Sequence, residues 1–265
     1  MLEMNIKPRI VTFYTDSNIH KMTFVSFLNY LSLPMKVPTA IITKGNILFS
    51  VLSYGAGLLL LLTSPAHGTE PVKIAISNFA VDGLTGWEEK RFSGKTDYQL
   101  VREGKETVIK ATSQAAASGL FKKKRIDLQL TPYLNWRWRV DKPLHSLDEK
   151  TKAGDDYGAR IYVVIDGGVF FWNTKAINYV WASAVPTGES WPNAFAGKSA
   201  MMFALRSSTD KAATWYQEKR NVYADLKEFF GPDVRYIDAV AIMTDTDNSG
   251  QQTTAQYGDI FFTSN

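Results

Sequence analysis

The chain has 265 residues, 45% apolar and 21% charged, with a formal net charge of +4 and no cysteine. The lack of cysteine excludes disulfides, thiolate zinc sites, a cysteine nucleophile and an acylated-cysteine anchor. The charge is uneven: residues 1–68 carry five Lys or Arg against two acids, which leaves 25 against 24 in 69–265. A nucleic-acid binder carries a basic domain, so no nucleic-acid partner is expected. The basic run Lys122-Lys123-Lys124-Arg125 reads as a solvated turn or an edge strand whose lysines deter pairing with other chains, or else as a small basic patch.

Residues 47–63 read ILFSVLSYGAGLLLLLT, after Lys36 and Lys44 and before Pro65-Ala66-His67-Gly68. A basic flank, an apolar stretch and small residues at the end predict a secretory signal over 35–68, cleaved after Gly68. Residues 1–34 are then an extension upstream of a start at Met35. An uncleaved anchor is the alternative, because the run approaches the ~20 apolar residues that cross a bilayer. The expectation is a periplasmic protein that meets the membrane only through its signal, with a single mature domain over 69–265.

From residue 72 onward the pattern changes to short period-two runs rich in Val, Ile, Tyr, Phe and Trp, the signature of half-buried strands. They predict strands at about 72–79, 87–92, 96–102, 106–112, 117–121, 134–140, 158–165, 169–173, 176–182, 200–206, 213–220, 236–243 and 255–262. In Leu134–Val140 the alternation puts Trp136 and Trp138 on one face, read as core, and Arg137 and Arg139 on the other. In 158–165, Ile161, Val163 and Ile165 share a face opposite Arg160 and Tyr162. Trp191 falls in a long loop, with exposure and burial both open. One short helix is expected at 221–230, capped by Asn221 and stopped by Gly231-Pro232. The fold class is all-β, an antiparallel β-sandwich or barrel.

The spacing of Trp136-Arg137-Trp138, Asp155-Asp156 before Ala159-Arg160-Ile161-Tyr162, Tyr179-Val180-Trp181, Trp215 with Glu218 and Arg220, Asp225 with Phe230-Gly231, and Ile242–Asn248 before Tyr257-Gly258-Asp259-Ile260 resembles the bacterial domain-of-unknown-function family 3047. The resemblance covers nearly all of 72–262. It implies an exported jelly-roll-like sandwich, similar in outline to galactose-binding-like and carbohydrate-binding modules, and it implies no activity.

Asp245-Thr246-Asp247-Asn248-Ser249-Gly250 places oxygen side chains at alternate positions before a glycine, as a calcium loop does. The twelfth position is Gln256 instead of a bidentate glutamate, so an Asx-rich turn is the competing reading. By analogy of fold, Asp259 in the last strand is a further cation candidate; it would equally neutralise a buried Arg160. A structural calcium held by Asp245, Asp247 and Asp259 is therefore an expectation alongside those simpler roles. His145 is the one histidine of 69–265 and has no triad-like context.

A polar ligand, expected to be a glycan or a similar envelope component, is assigned to Asp156, Arg160, Trp181, Trp215, Glu218 and Arg220. Aromatic faces take sugar C–H surfaces, and charged side chains bond hydroxyls. A non-catalytic binding module is the preferred expectation. A polysaccharide-cleaving enzyme with paired carboxylates and an envelope assembly protein are the alternatives. Glu218, Arg220 and Asp225 would otherwise form ion pairs tying their strand to the following helix.

Overall fold

The computed structural model describes residues 71–168 and 173–265. The expected signal, the upstream extension and the strand at 169–173 with Trp172 lie wholly or mainly outside the described residues. No helix among those residues is long and apolar enough to cross a membrane.

Two seven-stranded sheets form the sandwich. The first contains β1 (Lys73–Ala75), β3 (Asp97–Glu103), β4 (Glu106–Gln114), β6 (Tyr133–Lys142), β11 (Tyr216–Asn221), β13 (Gln252–Tyr257) and β14 (Phe261–Thr263), ordered β1-β14-β6-β13-β4-β3 with β11 on the other side of β6. The second runs β2-β5-β12-β7-β8-β10-β9, built from β2 (Glu88–Ser93), β5 (Ala117–Asp127), β7 (Ala159–Ile165), β8 (Lys175–Trp181), β9 (Ser190–Asn193), β10 (Gly197–Arg206) and β12 (Tyr236–Asp245). Pairing is antiparallel except between β8 and β10. One turn of helix, α1 (Phe79–Asp82), and a longer α2 (Val222–Phe230) complete the order.

The main core fills the space between the sheets. Trp136 and Trp138 of β6 meet Ile161 and Val163 of β7 and Tyr179 and Trp181 of β8, all essentially buried. The alternation in β6 is as the sequence predicts, because successive side chains point to opposite faces and this sheet buries only the one that carries Trp136 and Trp138. Trp138 packs edge-on against Trp136 and Trp181, at 5.5 and 6.1 Å between ring centroids. α2 begins where expected: Asn221 accepts a hydrogen bond from the Ala224 N–H at 3.0 Å, and Gly231 closes it with φ +89°.

Several boundaries differ from the sequence reading, among them the expected 72–79 strand, which ends at Ala75 and gives way to α1. β5 continues through Lys122–Arg125 to Asp127, pairing with β12 on one side and running past the end of β2, whose first residue pairs with Phe121, on the other; there Lys122 and Lys124 Nζ donate to the Thr85 and Ala75 carbonyls. The 255–262 segment is two strands, broken at Gly258, where any side chain would collide with Arg137. β9 was hidden in the expected loop. It is only four residues long, and its Trp191 is buried against Tyr157.

The second sheet also has an outer face with apolar content. Tyr162 and Val164 of β7 join Ala239, Ala241 and Met243 of β12, Ala117 and Phe121 of β5, and Ala176 and Ala200 of β8 and β10. Phe92 of β2 and Phe195 of the β9–β10 turn pack on this cluster. A buried outer face means that loops and turns cover part of the sheet, and the gap they leave is the site described next.

Candidate functional site

At one end of this outer face lies a narrow cleft of about 30 Å³, lined by Phe92, Tyr162, Phe195 and Met243 on its apolar side and by Asp155, Arg160, Asp245, Asp247 and Asn248 on its polar side. Strand geometry explains the mixture. Arg160 and Tyr162 are two residues apart on β7 and share a face, and β12 runs beside them with Met243 paired to Arg160.

Arg160 is 3% exposed and Asp245 1%. Both Asp245 oxygens accept from the guanidinium, Oδ1 from Nε at 2.9 Å and Oδ2 from Nη2. The bidentate pair fixes the plane of the guanidinium, and Tyr157 and Tyr162 flank it at 4.6 and 5.6 Å. In a buried pair of this kind both charges have left water, and their mutual attraction and bidentate hydrogen bonds offset that cost.

Three more acids surround it. Asp156 is buried and accepts from the backbone N–H of Asn248 at 3.2 Å and of Ser249 at 2.6 Å, and from the Asn248 side chain at 3.3 Å. It thereby shapes the β12–β13 turn, which ends at Gly250 with φ +68°. Asp155 accepts from Asn193 Nδ2 and from the Tyr157 hydroxyl at 3.1 Å. Burial is the main force pushing the Asp155 carboxyl up to about 6, with Arg160 opposing it. Asp247 is also raised, first by burial and then by the nearby Asp156 charge. Four carboxylates thus share one guanidinium.

The calcium-loop expectation resolves into this turn. Asp156, Asp245 and Asp247 can each place an oxygen within 4.8 Å of the others. Arg160 already holds both oxygens of Asp245, and turn amides hold those of Asp156. A hard cation needs six to eight oxygens, so this donor set matches a guanidinium better than calcium. Asp259 is elsewhere: it accepts from the Phe79 N–H at 2.8 Å and the Ser77 hydroxyl at 3.1 Å, and so caps α1. It does not neutralise Arg160, because Asp245 does.

The six residues assigned to a ligand do not converge. Asp156 and Arg160 belong to the acid cluster. Trp181 is 2% exposed in the main core. Trp215 lies against the outer face of the first sheet, with Arg137 and Arg139 over its ring at 4.3 and 5.3 Å. Glu218 accepts from Trp138 Nε1 at 3.0 Å and from Arg206 Nε at 2.6 Å, tying β11 to β10 across the sheets. Arg220 donates to Asp225 of α2, whose carboxylate also accepts from the Tyr179 hydroxyl at 2.6 Å. The strand-to-helix ion pair Arg220–Asp225 is the one the sequence offered; Glu218 instead joins Arg206. Strand period alone cannot tell the inner from the outer face when both are aromatic, which is why Trp181 was grouped with Arg160.

Phe92, Asn193 and Phe195 are not singled out by the sequence, whereas Asp155 is one of several carboxylates, with Asp156, Glu218, Asp225, Asp245 and Asp247, that it offers to a paired-acid enzyme. Phe195 reaches the cleft through a turn in which Asn193 Oδ1 accepts from the Phe195 and Ala196 N–H groups, both at 3.0 Å; the Asn-Ala-Phe-Ala sequence was the available signal.

No curated protein matches the chain. Among solved structures, it is similar to a family 11 carbohydrate-binding module from Clostridium thermocellum in complex with a β-1,3-1,4-mixed-linked tetrasaccharide, at 10% identity over 72% of this chain and 94% of that one, with a TM-score of 0.33. A family 30 carbohydrate-binding module of a Clostridium thermocellum cellulosomal cellulase is similar at 9% identity, over 68% and 91%, with a TM-score of 0.37. The xyloglucanase domain of NopAA from Sinorhizobium fredii is similar at 10% identity, over 68% and 95%, with a TM-score of 0.37. Those names describe the neighbours. Residues 85–261 match the family model described as Protein of unknown function (DUF3047), and the chain belongs to that family.

Proposed function

We propose that the protein is an exported, periplasmic binding module for a saccharide, and that the sugar lies across the mouth of the cleft of Arg160, Asp155, Asp247, Phe92 and Phe195. One observation carries this reading: a guanidinium fixed by Asp245 stands beside Asp155 and Asp247 and opposite aromatic side chains, in a single solvent-reached cleft. Rings take the C–H face of a pyranose, and carboxylates take its hydroxyls in charge-assisted bonds. The near balance of 25 basic and 24 acidic residues in 69–265 gives no broad cationic field for an acidic polymer, so a neutral sugar is the best-matched class.

Calorimetric titration of the chain with neutral tetrasaccharides based on glucose, mannose, galactose and xylose tests this, with calcium and with chelator. Binding that weakens in Asp247→Asn is expected. Silence of the wild-type chain across the panel in both conditions overturns the reading.

The raised Asp155 carboxyl supports a second reading. An acid held near 6 beside a second carboxylate suits protonation of a glycosidic oxygen. Release of reducing ends from the same panel, abolished by Asp155→Asn, would make the protein a glycosidase. Binding without turnover keeps it a module.

A further inference from the structure

Asn193 ends β9, is buried, and has both ends of its side chain engaged. Nδ2 donates to Asp155 Oδ1 at 3.0 Å and to Oδ2 at 3.2 Å, while Oδ1 accepts from the N–H groups of Phe195 and Ala196. Asp155 and Phe195 both line the cleft, one on its polar and one on its apolar side, so a single carboxamide joins the acid to the ring. Closing the turn uses Oδ1 alone, which an aspartate supplies as well; the donor aimed at Asp155 is what asparagine adds. The carboxamide is planar, through the same resonance that flattens a peptide, so a change at Nδ2 is carried to Oδ1. Its bond to an ionised Asp155 is roughly twice as strong as its bond to the neutral acid.

The other charged and titratable groups around Asp155 are accounted for. On its own segment, Asp156 is held by turn amides, Glu149 by the N–H groups of Ser183, Ala184 and Val185, and Lys152 stands over the Phe195 ring at 5.4 Å. On β7 and β12, Arg160 and Asp245 hold each other. Burial pushes the Tyr157 hydroxyl up and that of Tyr162 to about 12, so neither ionises near neutrality. Asp247, in the turn after β12, is the remaining acid raised by burial. We propose that Asn193 is a positioning residue of the cleft that ties the Phe195 turn to the ionised Asp155 carboxylate, so that the saccharide is held while Asp155 is charged and released as it takes up a proton. The proposal rests on the saccharide reading above and adds the residue that couples acid to ring and the sign of the pH response.

Calorimetry with the same tetrasaccharides between about pH 5 and pH 8 tests it. A carboxyl that titrates near 6 is ionised in roughly a tenth of molecules at pH 5, so affinity there is expected to be about tenfold below its value near pH 7.5. Asn193→Asp keeps the turn acceptor but sets a second carboxylate against Asp155, and is expected to move the step upward by about one pH unit or more. In the wild-type chain without ligand, the backbone amide resonances of Phe195 and Ala196 are expected to titrate with the Asp155 carboxyl carbon, also in Asp247→Asn; this readout decides if Asn193→Asp fails to fold. An unmoved pH profile in Asn193→Asp reduces Asn193 to a turn cap and overturns the proposal. Amides that ignore the Asp155 carboxyl, or an affinity independent of pH while Asp247→Asn still weakens binding, overturn it too and leave the saccharide reading standing. Silence of the wild-type chain at every pH overturns both.

Discussion

Two regions of this sandwich pair arginine with buried carboxylate, and they differ in balance. In the tie between the sheets, Arg206 meets Glu218 and Asp210, while Arg220 meets Asp225. Both arginines bond acids that have further partners in the core, such as Trp138 and Tyr179. In the cleft, one arginine faces Asp155, Asp156, Asp245 and Asp247, and two of these carboxyls are pushed upward. A charge set that nearly neutralises itself has no use for a ligand; its return is geometric, holding β11 to β8 and β10. A set with surplus carboxylate pays for its burial in stability, and a ligand that bonds those oxygens recovers some of it.

The largest expected effect comes from removing the cleft's one cation. Arg160→Met leaves Asp245 buried and unpaired, which costs about 3–5 kcal/mol and is read by urea unfolding. The double change Arg160→Met with Asp245→Leu is expected to recover most of that loss while abolishing saccharide binding. If the single variant is no less stable than the wild type, the contrast between the two regions fails, because the cleft pair would then carry no buried charge.

Next in size is the pH dependence set by Asp155. Its folded value of about 6 lies above the ordinary 3.8, so the folded chain binds the proton more tightly than the unfolded one. That contribution is fully present below about pH 4 and is lost as pH rises through about 6, by at most about 3 kcal/mol. Asp155→Asn is expected to flatten this segment of the stability curve. Thermal melts between pH 4 and 7 check the sign: stability from this group must fall, not rise, as the solution becomes less acidic.

How far the sequence anticipates these regions follows from the range of the interactions involved. The sandwich, the β6 alternation and α2 with its Asn221 cap depend on strand period and local capping, which a few neighbouring residues specify. The link between Asp156 and the 245–250 turn spans 92 positions to Asn248, and the pairing of Arg160 with Asp245 spans 85. Residue type picked out the participants; only folding could pair them. Trp181 and Glu218 show the converse. Their composition suits a sugar site, yet both end up packed between the sheets, because an aromatic or an acid on an inner face looks the same in one dimension as on an outer one.

Glu218→Gln is expected to cost about 1–2 kcal/mol. The glutamine keeps an acceptor for Trp138 or Arg206 but loses the charge, and water softens the loss because the Arg206 side chain is 24% exposed. Affinity for the tetrasaccharides should not move. A fall in affinity at constant stability would place the tie in the binding site and erase the distinction between the regions.

The smallest stability effect is expected at the residue most exposed to ligand. Asp247 accepts one hydrogen bond, from its neighbour Asn248 at 3.2 Å, and is only partly buried. Asp247→Asn should therefore leave stability within about 0.5 kcal/mol of the wild type, with a slight gain because the amide carries neither the burial cost nor the Asp156 repulsion that raise the carboxyl. Its affinity for the best tetrasaccharide should fall about tenfold, equivalent to about 1.4 kcal/mol. Paired unfolding and calorimetric measurements on this one variant separate the two quantities. A large stability loss with normal binding would make the turn a structural element like the tie, and the surplus acid of the cleft would need another explanation.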